Sequence, residues 1–137
     1  MLLESSFIIQ NALLSSKLLR KIDGELSVHG ISFTEYLIMH HLFSSSLKTM
    51  RRIELAECVG ISASGVTRLI APMEKNKIVE KEANPRDARQ SLVKLSKIGE
   101  RLYKEATASF EHRAKLALEP LSNNQLEKLI DLSSKLG

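Results

Sequence analysis

Along most of this chain the apolar residues recur every three or four positions between short polar breaks, which is the signature of helices. Residues 2–28 place Leu3, Phe7, Ile8, Leu14, Leu18, Leu19, Ile22 and Leu26 at such spacings and predict one long amphipathic helix closed by Gly30. So much Leu and Ile on one helix implies that part of it buries against another subunit. SFTE at 32–35 has the form of a capping box, in which Ser32 and Glu35 each satisfy the other's backbone amide. The YLIMHHLF helix that follows is apolar nearly all round and is expected at the centre of the molecule. SSSLK at 44–48 reads as a loop.

Thr49 is the expected N-cap of a short helix through Cys58, with Ile53, Leu55, Ala56 and Val59 facing inward. Gly60 supplies a turn, and Ser62 caps a second helix over 63–76. There Val66, Leu69, Ile70 and Met73 form a core-facing stripe. At 100° per residue Ser64, Arg68, Ala71 and Lys75 project from the opposite face, with Thr67 on its flank. Two helices joined by a tight turn, the second exposing small polar residues and an arginine, describe a helix-turn-helix. Pro72 falls inside that second helix and is expected to bend it.

The period then changes. IVEKEA at 78–83 and SLVKLS at 91–96 carry β-compatible residues on either side of NPRD at 84–87, a turn cluster. They predict a hairpin with Arg86, Asp87 and Arg89 at its tip, and a helix-turn-helix followed by a charged hairpin is a winged helix. From Ile98 to about Glu119 apolar residues recur every four positions, a long helix stopped by Pro120. Ser122 and Gln125 then offer a capping box for a last helix bearing Leu126, Leu129, Ile130 and Leu136. The fold class is mainly α with a small β-hairpin.

Composition narrows the classes. At 137 residues, 43% hydrophobic and 26% charged, the chain suits one domain with a real core. No apolar run approaches the ~18 residues of a membrane span, and no basic start precedes an apolar core as in a signal peptide. The single Cys58 excludes an internal disulfide and suits a reducing cytoplasm. The net charge of +4 is uneven: residues 48–101 hold twelve Lys/Arg and seven acids, while residues 1–47 sum to −1 and residues 102–137 to zero. A basic excess confined to the predicted winged helix suggests a polyanionic partner for that part.

Two stretches, IELAECVGISASGVTRLIAPMEKNKIVEKE and NPRDARQSLVKLSKIGE, carry a family likeness. The most specific features are D-x-R at Asp87 and Arg89, then V-x-L-S/T-x-x-G at Val93, Leu95, Ser96 and Gly99. With them the chain resembles the MarR (multiple antibiotic resistance regulator) family of bacterial transcription regulators, over nearly its full length in helix order and spacing. The resemblance implies a homodimer in which residues 1–31 and 98–137 supply dimerisation helices and residues 32–97 a DNA-binding winged helix. It implies double-stranded DNA with a pseudo-palindromic operator as partner. It places Ser62, Ser64, Thr67 and Arg68 at bases and phosphates, and Arg89 in the minor groove with Asp87 gripping its guanidinium. Lys75 and Arg86 are further expected contacts. Asn76 stands where the family commonly has Gly and is expected to tolerate the left-handed geometry of a helix end. The peroxide-sensing cysteine that some members carry near the N-terminus has no counterpart.

No catalytic arrangement, phosphate loop or metal motif stands out, so neither an enzyme nor a cofactor is expected. His40 and His41 are adjacent on a helix and point about 100° apart, poor geometry for one metal. Cys58 is expected to be a small packed residue. A small-molecule effector is a further expected partner; Phe33, Tyr36 and His40 are candidates to line its cleft, with core packing the plainer role. The leading function is a sequence-specific repressor released by a ligand, and the alternative is a winged-helix module that uses its hairpin on protein.

Overall fold

The computed structural model describes all residues, Met1–Gly137. In chain order it contains α1 (Leu3–Leu26), α2 (Phe33–Ser44), β1 (Thr49–Arg51), α3 (Arg52–Val59), α4 (Ala63–Lys75), β2 (Val79–Ala83), β3 (Ser91–Leu95), α5 (Lys97–Ala117) and α6 (Asn123–Ser134). Short 3-10 turns follow α1 and α2, at Ser27–His29 and Ser46–Lys48. No helix is long and apolar enough to cross a membrane.

The expected central helix is α2. Its capping box forms, with Glu35 N–H donating to Ser32 Oγ at 3.1 Å and Ser32 N–H to Glu35 Oε1 at 2.9 Å. Tyr36, Ile38, Met39 and Leu42 are buried, and the surrounding core draws Leu55, Val66, Ile70, Met73, Val93 and Leu95 from α3, α4 and β3. Burying such side chains stabilises by about 1.5–3 kcal/mol each. The stripe on α4 is therefore what seats it, with Val66, Ile70 and Met73 buried and Leu69 at the margin.

Residues 49–51 differ from the expectation. Thr49 caps no helix but opens β1, which pairs antiparallel with β3 as Thr49↔Lys94, Met50↔Val93 and Arg51↔Leu92. The hairpin thus gains a third strand, in the order β1-β3-β2. Helix α3 starts only at Arg52, capped by the Glu54 carboxylate, which accepts from Arg51 N–H at 3.0 Å and Arg51 Nε at 3.1 Å. Ile53 lies two residues, hence about 200°, from buried Leu55, so the two cannot share a face. Ile53 is accordingly exposed, as is Cys58, which is not packed as expected.

The loop expected at 44–48 is tighter than a coil. Leu47 and Lys48 take left-handed φ values of 55° and 57°. Lys48 is held over the Phe43 ring at 4.4 Å and 3.7 Å from Glu100 of α5.

The ends of the chain pack least. Of α1 only Ile22 and Leu26 are buried, and α6 buries nothing. Leu3, Phe7, Ile8, Leu13, Leu14, Leu129, Ile130 and Leu132 stand exposed.

Candidate nucleic-acid interface

The start of α4 is built by hydroxyls. Ser62, extended at φ −72° and ψ 158°, accepts from Gly65 N–H at 3.1 Å and pairs with Ser64 Oγ at 3.1 Å. Thr67 Oγ1 donates back to Ala63 O at 3.2 Å. Ser62, Ser64, Thr67 and Arg68 are all exposed and share the N-terminal half of α4. Lys75 is exposed at its far end. Pro72 is exposed and the helix continues through it to Lys75, although no N–H at Pro72 can meet Arg68 O. Against α4, α3 is held by Gly60 at φ 74° and by the Arg52–Glu74 ion pair at 3.5 Å.

The end of α4 departs from expectation. Asn76 sits at φ −86°, and the left-handed residue is Lys77 at φ 62°. Ile78 N–H donates to Met73 O and Lys77 N–H to Glu74 O, each at 2.9 Å, a Schellman closure with Lys77 in the place glycine usually fills. Its accompanying apolar contact is available in Ile78 and Met73, both buried.

Ser96 locks this closure to the wing and to α5. Its Oγ lies 2.6 Å from Lys77 O and 2.9 Å from Ile78 O, and it accepts from Gly99 N–H at 2.9 Å as the N-cap of α5. Ser96 N–H also donates to Ile78 O at 3.0 Å. A methyl on Gly99 would land on Ile78 O, inside van der Waals contact, and 2.7 Å from Leu95 Cδ1. The Ser-x-x-Gly of the sequence thus sets how the end of α4, the β2–β3 hairpin and α5 meet. Sequence reading quoted both residues but gave them no job; the N-cap spacing was the available signal.

At the wing tip β2 and β3 run from Val79↔Leu95 to Ala83↔Ser91. Between them the chain makes two successive turns of one design. Asn84 Oδ1 accepts from Arg86 N–H and Asp87 Oδ1 from Arg89 N–H, both at 3.0 Å. Asp87 N–H reaches Asn84 O at 3.2 Å and Gln90 N–H reaches Asp87 O at 3.1 Å. These are Asx turns, in which a carboxylate or amide oxygen ties down a backbone amide two residues on. Asp87 therefore does not grip the Arg89 guanidinium as expected; no ion pair joins them. It fixes the backbone from which Arg89 projects. Arg86, Asp87 and Arg89 are all exposed.

Away from α4 and the hairpin, polar bonds join α2 and its flank to α5. His29 Nε2 is 2.8 Å from Ser109 Oγ, Tyr36 Oη 2.7 Å from Thr107 Oγ1, and His40 Nδ1 2.7 Å from Tyr103 Oη. Tyr36 stacks on Tyr103 at 5.3 Å and meets Phe110 edge-on at 5.0 Å, while Phe33 lies 5.7 Å from Phe110. Phe33 and Tyr36 thus have packing roles, and burial pushes the Tyr36 hydroxyl up to about 12. Burial, with His40 beside it, lowers the pKa of His41.

The comparisons agree with this geometry. The MarR family pattern matches residues 29–90, from the turn after α1 to the wing tip. A MarR-family transcriptional regulator from Streptomyces coelicolor, solved in complex with DNA, superposes with a TM-score of 0.89 at 21% identity, covering 99% of this chain and 87% of that one. A cysteine-to-serine mutant of MarR from E. coli, complexed with operator DNA, gives 0.88 at 18% identity over 96% and 93% of the two chains. A MarR-like transcription regulator from Bacillus cereus gives 0.84 at 23% identity over 97% and 94%. The family pattern lies over the winged helix-turn-helix, and the likeness to these solved structures extends the same winged-helix fold over both flanks, so the chain is similar to MarR-family proteins along nearly its whole length.

Proposed function

We propose that the protein is a cytoplasmic, homodimeric, sequence-specific DNA-binding repressor whose hold on a pseudo-palindromic operator is released by a small ligand. The observation that carries this is the pairing of two free cationic elements on one rigid head. One is the exposed Arg68 face of α4; the other is the wing tip, whose two Asx turns present Arg86 and Arg89. Ser62, Ser64, Thr67 and Lys75 complete the contact surface, and Asp87 supports Arg89. Structural relatives solved with DNA support the reading. The exposed apolar residues of α1 and α6 support the dimer, because a lone protomer leaves them in water.

The test is a titration of duplexes from upstream of nearby promoters, against random duplexes, at two salt concentrations. A repressor prefers particular duplexes, and its affinity falls steeply with salt as phosphates are neutralised. Equal, weak binding to every duplex would support the protein-interaction module instead.

A further inference from the structure

On the outward face of α4 four side chains near its start can hydrogen-bond: Ser62, Ser64, Thr67 and Arg68. Three are already engaged in building the helix. Ser62 accepts from Gly65 N–H, Ser64 pairs with Ser62, and Thr67 donates to Ala63 O. What a hydroxyl has left suits either donors or acceptors on base edges and discriminates poorly. Arg68 differs. It takes part in none of the ion pairs, and its side chain makes no hydrogen bond within the chain. Ala71 and Pro72, the next exposed residues, offer only apolar surface. Lys75 lies about 10 Å further along the axis, towards the end of the helix that recognition helices hold away from the bases.

We infer that Arg68 is the one base-discriminating side chain of the recognition helix, and that it reads a single guanine in each half-site through O6 and N7. This rests on the DNA-binding reading above. A planar guanidinium with paired donors matches the two acceptors that guanine presents in the major groove. The remaining sequence preference then comes from the wing, where Arg86 and Arg89 favour the narrow minor groove of A·T-rich flanks. The operator is accordingly sparse: one fixed G·C pair per half-site, with flanks specified by composition.

The test is selection of bound duplexes from a random pool with wild-type dimer, Arg68→Ala and Arg68→Gln. Wild type should fix one G·C pair per half-site, and Arg68→Ala should lose that pair alone, with roughly 10- to 100-fold weaker binding to the selected site. Arg68→Gln should move the preference to A·T, since an amide matches adenine N6 and N7. Arg68 is exposed and unbonded, so unchanged far-UV circular dichroism is expected of both variants. Two outcomes overturn the assignment: variants that recover the wild-type site, or a loss spread evenly over all sequences with a shallower salt slope, as for a phosphate contact. A wild-type protein that enriches no duplex would instead remove the DNA-binding reading itself.

Discussion

At Asp87 one oxygen decides between two accounts of the wing. A carboxylate that gripped the Arg89 guanidinium would need its charge, whereas one that accepts from Arg89 N–H at 3.0 Å needs only an oxygen at Oδ1. Asp87→Asn keeps that oxygen and is expected to bind operator within about twofold of wild type. Asp87→Ala loosens the turn and should cost about 0.5–1.5 kcal/mol of affinity, the worth of one hydrogen bond. Arg89→Ala should cost about 1–3 kcal/mol per contact. Fluorescence anisotropy on the three variants checks both accounts; equal losses in Asn and Ala would restore the charge-based one. Gly99 makes a comparable case for stability. A methyl there meets a backbone oxygen that is itself fixed by Ser96, so it cannot be accommodated by a rotamer change. Gly99→Ala should lose about 1–3 kcal/mol in denaturant unfolding, the usual cost of overpacking.

In α4 and in the turn that closes it, two exposed residues hold backbone arrangements that cost free energy. Pro72 is exposed and leaves Arg68 O without its helical donor. Lys77 holds a left-handed backbone at φ 62°, where a side chain costs roughly 1 kcal/mol. Pro72→Ala should therefore stabilise by about 1–3 kcal/mol and Lys77→Gly by about 0.5–1 kcal/mol, measured as shifts in urea midpoint. A stabilised Pro72→Ala protein that binds operator less well would show the proline to be kept for the aim of Arg68. These elements also show what a sequence carries. The long helices and the α4 stripe were legible because many residues repeat one period, and the winged head because Ser96, Gly99 and the D-x-R tip have fixed spacing. β1 was not, since three residues have no period and its strand character comes from the edge of β3. The left-handed turn was assigned to Asn76 on intrinsic preference, but the Schellman bonds to Met73 and Glu74 place it one residue later. Ile53 was misread for want of a fixed helix start. At the tip, D-x-R is equally compatible with a side-chain and a backbone partner, and only geometry separates them.

For the molecule as a whole, stability answers to pH and to concentration. Tyr36 keeps its proton up to about pH 12 when folded and loses it near 10.0 when unfolded. The folded state therefore binds more protons between these values, and stability should fall as pH rises through them, by on the order of 2 kcal/mol. His41 acts at the other end: its lowered pKa means the unfolded state takes up the proton first, so stability is lost as pH falls below about 6.5. Concentration enters through α1. At 24 residues it is about 36 Å long, yet only Ile22 and Leu26, near its end, are buried in the protomer. Leu3, Phe7 and Leu14, further towards its start, remain exposed at 86%, 46% and 49%, with the apolar residues of α6 also uncovered. In the proposed dimer an identical surface on a second protomer would cover these residues, and the pairing would set the distance between two α4 helices. The melting temperature should then rise with protein concentration. Leu14→Glu should yield a monomer by light scattering with its winged helix intact, and operator affinity should fall by orders of magnitude because two linked heads become one. A Leu14→Glu protein that stays dimeric and binds as before would place the interface elsewhere.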